Sequence, residues 1–203
     1  MTEVQAHLPN FVRVKMDVLR IAVLLGLTAS RLAFADSESP AGPVVYTSAS
    51  GPCFFAVTPK DDGMGIAYKL EADGSFRKLW RIKGWYSSRA YLSIDGRYLV
   101  RLDLSPVGHE PSSEHPAVAF YDRGKLLARY STADLVKDKS KVWATTSHYL
   151  WLANQNWFDP ARDKKPPEPE PELRDDDRRF ALKTADGIIY QFDLTSGKII
   201  RAK

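Results

Sequence analysis

The stretch Leu92-Ser93-Ile94-Asp95-Gly96-Arg97-Tyr98-Leu99-Val100-Arg101-Leu102 decides the fold class. Asp-Gly between two apolar runs is the strongest short-range hairpin signal, because Gly takes the positive φ that a tight turn needs. After the turn, Tyr98, Val100 and Leu102 fall on one face and Arg97, Leu99 and Arg101 on the other. A period of two belongs to a strand, so the segment predicts a strand with one face in a core.

The same theme runs outward in both directions. Upstream, Cys53–Thr58, Gly65–Leu70 and Phe76–Ile82 are separated by Pro59-Lys60-Asp61-Asp62-Gly63 and Glu71-Ala72-Asp73-Gly74. Downstream, Ala117–Tyr121 and Lys125–Tyr130 flank Asp122-Arg123-Gly124. Later, Arg179–Thr184 turns at Ala185-Asp186-Gly187 into Ile188–Leu194, and Thr195-Ser196-Gly197 leads into Lys198–Arg201. About eleven strands joined by short turns predict an all-β antiparallel meander. One short helix interrupts it, where Ser131 and Asp134 stand at capping-box spacing. Lys137-Asp138-Lys139-Ser140-Lys141 carries no apolar stripe to extend that helix.

Residues 159–179 are of another kind. Their alternating Pro and Glu can form neither a ladder nor a helix and favour an extended chain, so a long, exposed, mobile Pro/Glu-rich loop is expected there. Only about 24 residues follow it, too few to fold alone. The expected organisation is a signal segment at 1–35, a flexible Ser/Pro/Gly lead-in at 36–51, and a single β-rich domain at 52–203.

The signal is read from three parts. Arg13, Lys15 and Arg20 precede the apolar run Ile21-Ala22-Val23-Leu24-Leu25-Gly26-Leu27, and Ala33-Phe34-Ala35 supplies a small-x-small cleavage site. Met16 places the basic region directly before that run and is the expected true start. The run is too short for a stable span, which needs roughly 20 residues, so no membrane span is expected after cleavage. A periplasmic or secreted location follows. Cys53, the only cysteine, sits among Phe54, Phe55, Ala56 and Val57 and is expected to be a buried thiol. The chain has 29 basic and 25 acidic side chains, with both signs interspersed; this excludes the one-sided basic face of a nucleic-acid binder.

Two stretches resemble blades of WD40-like or quinoprotein-like β-propellers. The first joins Leu92–Val100 to Val118–Leu127; the second is Ala185-Asp186-Gly187-Ile188-Ile189-Tyr190-Gln191-Phe192-Asp193-Leu194-Thr195-Ser196-Gly197-Lys198-Ile199-Ile200. Each has Asp-Gly, an apolar strand, an acidic residue, a Gly turn and Lys before an apolar pair. The Trp-Asp dipeptide of the WD40 group is absent. The resemblance implies a propeller-like meander, open or small. The chain is also similar to uncharacterised exported bacterial proteins carrying Gly84-Trp85-Tyr86 and Asp95–Arg101, a resemblance that implies no activity.

Candidate chemistry centres on Pro106–Pro116, where His109, Glu110, Glu114 and His115 could offer metal ligands or an acid/base pair. Their spacing fits no zinc signature and the prolines forbid a helix, so a solvent-facing loop is the plain alternative. His148 could pair with Asp134 in a triad-like set, but no Gly-x-Ser-x-Gly elbow accompanies any Ser. Asp61-Asp62 and Asp175-Asp176-Asp177 lack a calcium-loop pattern. Trp85 and Tyr86, expected at a strand end on one rim, could stack on a sugar or clamp a peptide. The resulting expectation is a non-catalytic binding or scaffold module of the bacterial envelope with a protein or glycan partner. It needs no cofactor and no metal, and it would bind through Trp85, Tyr86, His109, Glu110 and His115. The alternative is an envelope hydrolase or metal-dependent enzyme built on the His109/Glu110/Glu114/His115 loop.

Overall fold

The computed structural model describes residues 41–60, 63–87, 89–156 and 159–203. The signal segment with its Met16 start, as well as Asp61-Asp62, lies outside the described residues. The hairpin at Ser93–Tyr98 shows how the local chemistry builds the fold. Gly96 adopts φ 72°, and Asp95 Oδ1 accepts from Ser93 Oγ at 2.6 Å and from Arg97 N at 2.9 Å. Gly96 N donates to Ser93 O at 2.9 Å, which closes the turn.

Repetition of such turns gives four antiparallel sheets in chain order. Sheet I holds β1 (Val44–Thr47), β2 (Cys53–Thr58), β3 (Met64–Leu70) and β4 (Phe76–Lys83). Sheet II holds β5 (Arg89–Leu92), β6 (Tyr98–Leu102), β7 (Pro116–Asp122) and β8 (Lys125–Ser131). Sheet III is a ribbon of β9 (Trp143–Ala144) and β10 (Tyr149–Leu150). Sheet IV holds β11 (Glu172–Arg174), β12 (Arg179–Lys183), β13 (Ile189–Asp193) and β14 (Ile199–Ala202). Each four-stranded sheet pairs its strands in sequence order. The protein is thus an all-β, open, propeller-like meander, as its sequence predicts.

The helix α1 (Thr132–Leu135) carries the expected capping box: Asp134 N donates to Ser131 Oγ, and Ser131 N donates to Asp134 Oδ2. Its exit is held from sheet IV, where Asp186 Oδ2 accepts from Lys137 N at 2.7 Å and Asp138 N at 3.0 Å.

Sheet II is the central layer. Leu99, Ala119 and Tyr121 turn to one core with Phe55, Trp80 and Trp85 of the sheet I region. Val100, Leu102, Val118 and Phe120 turn to a second core with Phe180, Leu182 and Phe192 of sheet IV. This corrects the expectation that β6 has only one buried face: the presence of Arg97 and Arg101 on the Leu99 side suggested solvent, yet Leu99 is fully buried. It also explains β7, which is buried at five consecutive positions. A strand covered on both faces loses its alternation.

Three local differences from the sequence reading have physical causes. The lead-in was expected to be flexible to residue 51, yet Val44–Thr47 pairs with β2 in register from Val44↔Val57 to Thr47↔Phe54. Tyr46 Oη donates to Ser87 O at 2.9 Å, a contact distant in sequence that no local pattern reveals. The Pro/Glu-rich loop, expected to run to residue 179, ends in β11, whose Leu173 packs on the second core. The loop is tied down before that by Lys183–Glu168 at 2.6 Å and Arg89–Glu170 at 3.5 Å. Sheet III arises where Tyr149 and Leu150 are buried beside a strand only two residues long.

Candidate functional site

The His/Glu loop is bound into the fold, and the side chains of His109, Glu110 and His115 take separate partners. Gly108 N donates to Ser147 O at 2.8 Å, and His109 Nε2 lies 3.1 Å from Thr146 O. Glu110 is exposed and lies 3.7 Å from Lys139 Nζ. His115 joins a buried relay of hydroxyls. Its Nδ1 is 2.9 Å from Tyr149 Oη, which is 2.6 Å from Thr132 Oγ1. Thr132 Oγ1 in turn donates to Ser112 O and accepts from Ser112 N. With the Thr132 proton committed to Ser112 O, Tyr149 donates to Thr132, and His115 donates to Tyr149 through Nδ1–H. Burial pushes the Tyr149 pKa up, which keeps this donor protonated. The relay fastens the loop to the start of α1.

His148 and Asp134 do not form a pair of the triad kind. Asp134 is the cap of α1, and its pKa is lowered by the Ser131 backbone N–H it accepts from. His148 Nδ1 lies 2.8 Å from its neighbour Ser147 Oγ. Among the described residues no group of three or more His, Cys, Asp or Glu is placed to hold a metal ion. Asp177, in the acidic run, accepts from Ile94 N and so joins the sheet IV turn to the sheet II turn.

Trp85 and Tyr86 sit inside the packing and not on an open rim. Trp85 is 9% exposed and stacks on Tyr121 at 5.6 Å. Tyr86 Oη donates to Gly42 O at 2.8 Å. Trp85 has no free ring face for a sugar, Tyr86 is half-buried, and no hydrogen bond or ring contact ties either to the His/Glu loop among the described residues. Cys53 is a buried free thiol whose pKa is raised by burial.

A concave surface away from these residues lies on the β7–β8 side of sheet II. A cleft of about 170 Å³ is lined by Arg101, Asp103, Ala117, Ala119, Tyr121 and Arg129. A wider groove of about 650 Å³ adjoins it at Pro116 and Arg129 and continues past Glu114, Tyr130, Ser131 and Asp134. Of the expected site residues only Glu114 reaches this surface. Cross-strand register puts the two arginines on it: Arg101 pairs with Ala119, and Ala119 pairs with Arg129. Directly opposed residues share a face. Burial pushes the Tyr121 pKa up, and Arg101 partly offsets this by its charge and hydrogen bond. The signal in the sequence was the period of two that puts Arg101 with Leu99 on the face that carries this cleft.

Fold and cleft together define an all-β open meander of stacked four-stranded sheets with a charged surface groove. No protein-family model matches the chain, and no curated protein matches it significantly. Among solved structures, the crystal structure of the Saccharomyces cerevisiae Sqt1 aligns at 14% identity with a TM-score of 0.24, over 78% of this chain and 60% of that chain.

Proposed function

We propose that the chain is a binding module that docks a segment of a partner protein in the groove along β7 and β8. The observation that carries this reading is the continuity of the groove. It runs from the paired arginines past Pro116 to Glu114 and the Ser131 hydroxyl, offering charges of both signs and hydroxyls over an extended path. Burial of Trp85 favours a protein over a glycan, since sugar recognition relies on an exposed ring face. The basic, apolar and small-x-small parts of residues 1–35 support export to the envelope or beyond it.

A photo-crosslinking amino acid at Leu126, which is 47% exposed in the cleft, tests the docking site. A control at Val45 on sheet I, 59% exposed, probes a remote surface. A discrete adduct from Leu126 and none from Val45 is expected; equal labelling refutes the site. Export is tested separately by mass spectrometry of the mature protein, with Asp36 as the expected first residue and an intact N-terminus as the refuting result.

A further inference from the structure

We infer that the Arg101–Ala119–Arg129 row is a carboxylate-binding subsite that recognises an Asp or Glu side chain of the docked segment. This deepens the reading above and rests on it.

Three observations converge. First, geometry: Arg101, Ala119 and Arg129 are successive cross-strand partners on β6, β7 and β8. The two arginine Cα atoms are therefore two strand spacings apart, about 10 Å. Ala119 is the smallest side chain that still covers the backbone, so the space between the arginines stays open as the 170 Å³ cleft. Guanidinium groups on stems of that reach can close on one carboxylate, and their planar forks match its two oxygens.

Second, Arg101 keeps donor capacity beyond its hydrogen bond to Tyr121. Among the described residues no carboxylate pairs with Arg101 or Arg129. Arg101 Nε is buried without a hydrogen-bond partner, and so is the indole Nε1 of Trp85, over whose ring the Arg101 guanidinium sits at 5.1 Å. An unpaired buried donor carries a desolvation penalty. Arg101 lines the cleft, so an acceptor bound there can take up its remaining donors. Third, the charges order along the groove: arginines at one end, Glu114 and Asp134 at the other, with Asp103 also on the wall. That polarity suits a peptide with an acidic and a basic residue at short range, in either chain direction. A small free anion would use only the arginine end.

The test is selection of random peptides displayed on phage against the full-length protein, against Arg101→Gln/Arg129→Gln, and against Arg129→Gln alone. Arg129 is exposed, so the single variant keeps the test valid if loss of the Arg101–Trp85 contact disturbs folding. The expected result is enrichment of Asp- or Glu-containing peptides on the wild type. Enrichment should fall at least tenfold for the single variant and be lost in the double. N-acetylglutamate amide should compete with the selected peptides and N-acetylglutamine amide should not. Peptides selected without acidic enrichment, or retained by Arg129→Gln, overturn the subsite while leaving the binding module intact. Competition by inorganic phosphate as effective as that by the glutamate amide overturns the carboxylate assignment in favour of a general anion site. A wild-type protein that selects no peptide overturns the binding-module reading itself.

Discussion

Replacing Leu99 by Ala tests whether sheet II is buried on both faces. Leu99 is 0% exposed and points to the core shared with Phe55 and Trp80, whereas Val100 beside it points to the core shared with Phe180 and Phe192. Truncating a fully buried Leu removes its transfer free energy and leaves a cavity, a combined loss of about 3 kcal/mol within a usual range of roughly 2–5. Val100→Ala removes two carbons and should cost about 2 kcal/mol, from roughly 0.8 kcal/mol for each plus the void. The two side chains belong to different cores, so the double variant should lose about 5 kcal/mol, near the sum of the two. Val107→Ala, on a residue 68% exposed, should stay within about 0.5 kcal/mol of wild type. Urea unfolding followed by tryptophan fluorescence and by circular dichroism measures all four. If Leu99→Ala costs under about 1 kcal/mol while Val100→Ala costs its full amount, only one face is packed and the central-layer architecture is wrong.

Three other predictions follow from single residues. Gly96→Ala should destabilise by about 2 kcal/mol or more, since the site has φ 72° and a Cβ there would meet Leu79 Cδ1 at 2.5 Å and Cys53 Sγ at 2.9 Å; an unchanged urea midpoint would count against the turn geometry. Burial raises the Asp177 pKa, so the folded state holds its proton more tightly than the unfolded chain and stability declines as pH rises from the unfolded carboxyl value through the raised folded one. Asp177→Asn keeps an acceptor for Ile94 N–H and tolerates the φ of 62°; it should therefore be more stable than wild type at neutral pH, with the difference vanishing below about pH 3.9. Midpoints measured between pH 3 and pH 8 decide this, and a variant less stable at pH 7 refutes it. Cys53 should react with an aromatic disulfide reagent only at the rate of unfolding, because the thiol is buried and its pKa is raised; fast labelling in native buffer would contradict that burial.

What was legible in the sequence was whatever depends on neighbours along the chain. The Asp95-Gly96 turn, the Ser131/Asp134 cap and the strand β6 are local, and each appears where its residues predicted. β1 was hidden because it is only four residues long and, besides its pairing with nearby β2, is held by the distant tie of Tyr46 to Ser87. The two-residue strands of sheet III are too short to show a period. For the site, residue type misled. Histidines, acids and tryptophans attract attention, yet His115 serves a buried hydroxyl relay and Trp85 fills a core. The groove is assembled by register between β6, β7 and β8. An unremarkable Ala between two arginines on separate strands leaves no trace in a linear reading.

Leu99 and Val100 are consecutive residues that belong to different cores, and this bears on the order of folding. Pairing within every four-stranded sheet is between sequence neighbours, so each hairpin can zip as soon as it is delivered. The cores cannot form so early. Sheet I must hold Phe55 and Trp80 uncovered until sheet II arrives, and sheet II must then wait across the Pro/Glu-rich segment for Phe180 and Phe192. A chain whose first two sheets join before Phe180 and Phe192 arrive would leave Val100 and Phe120 facing water. Such a half-assembled chain would expose an apolar sheet face open to aggregation and to capture by a chaperone.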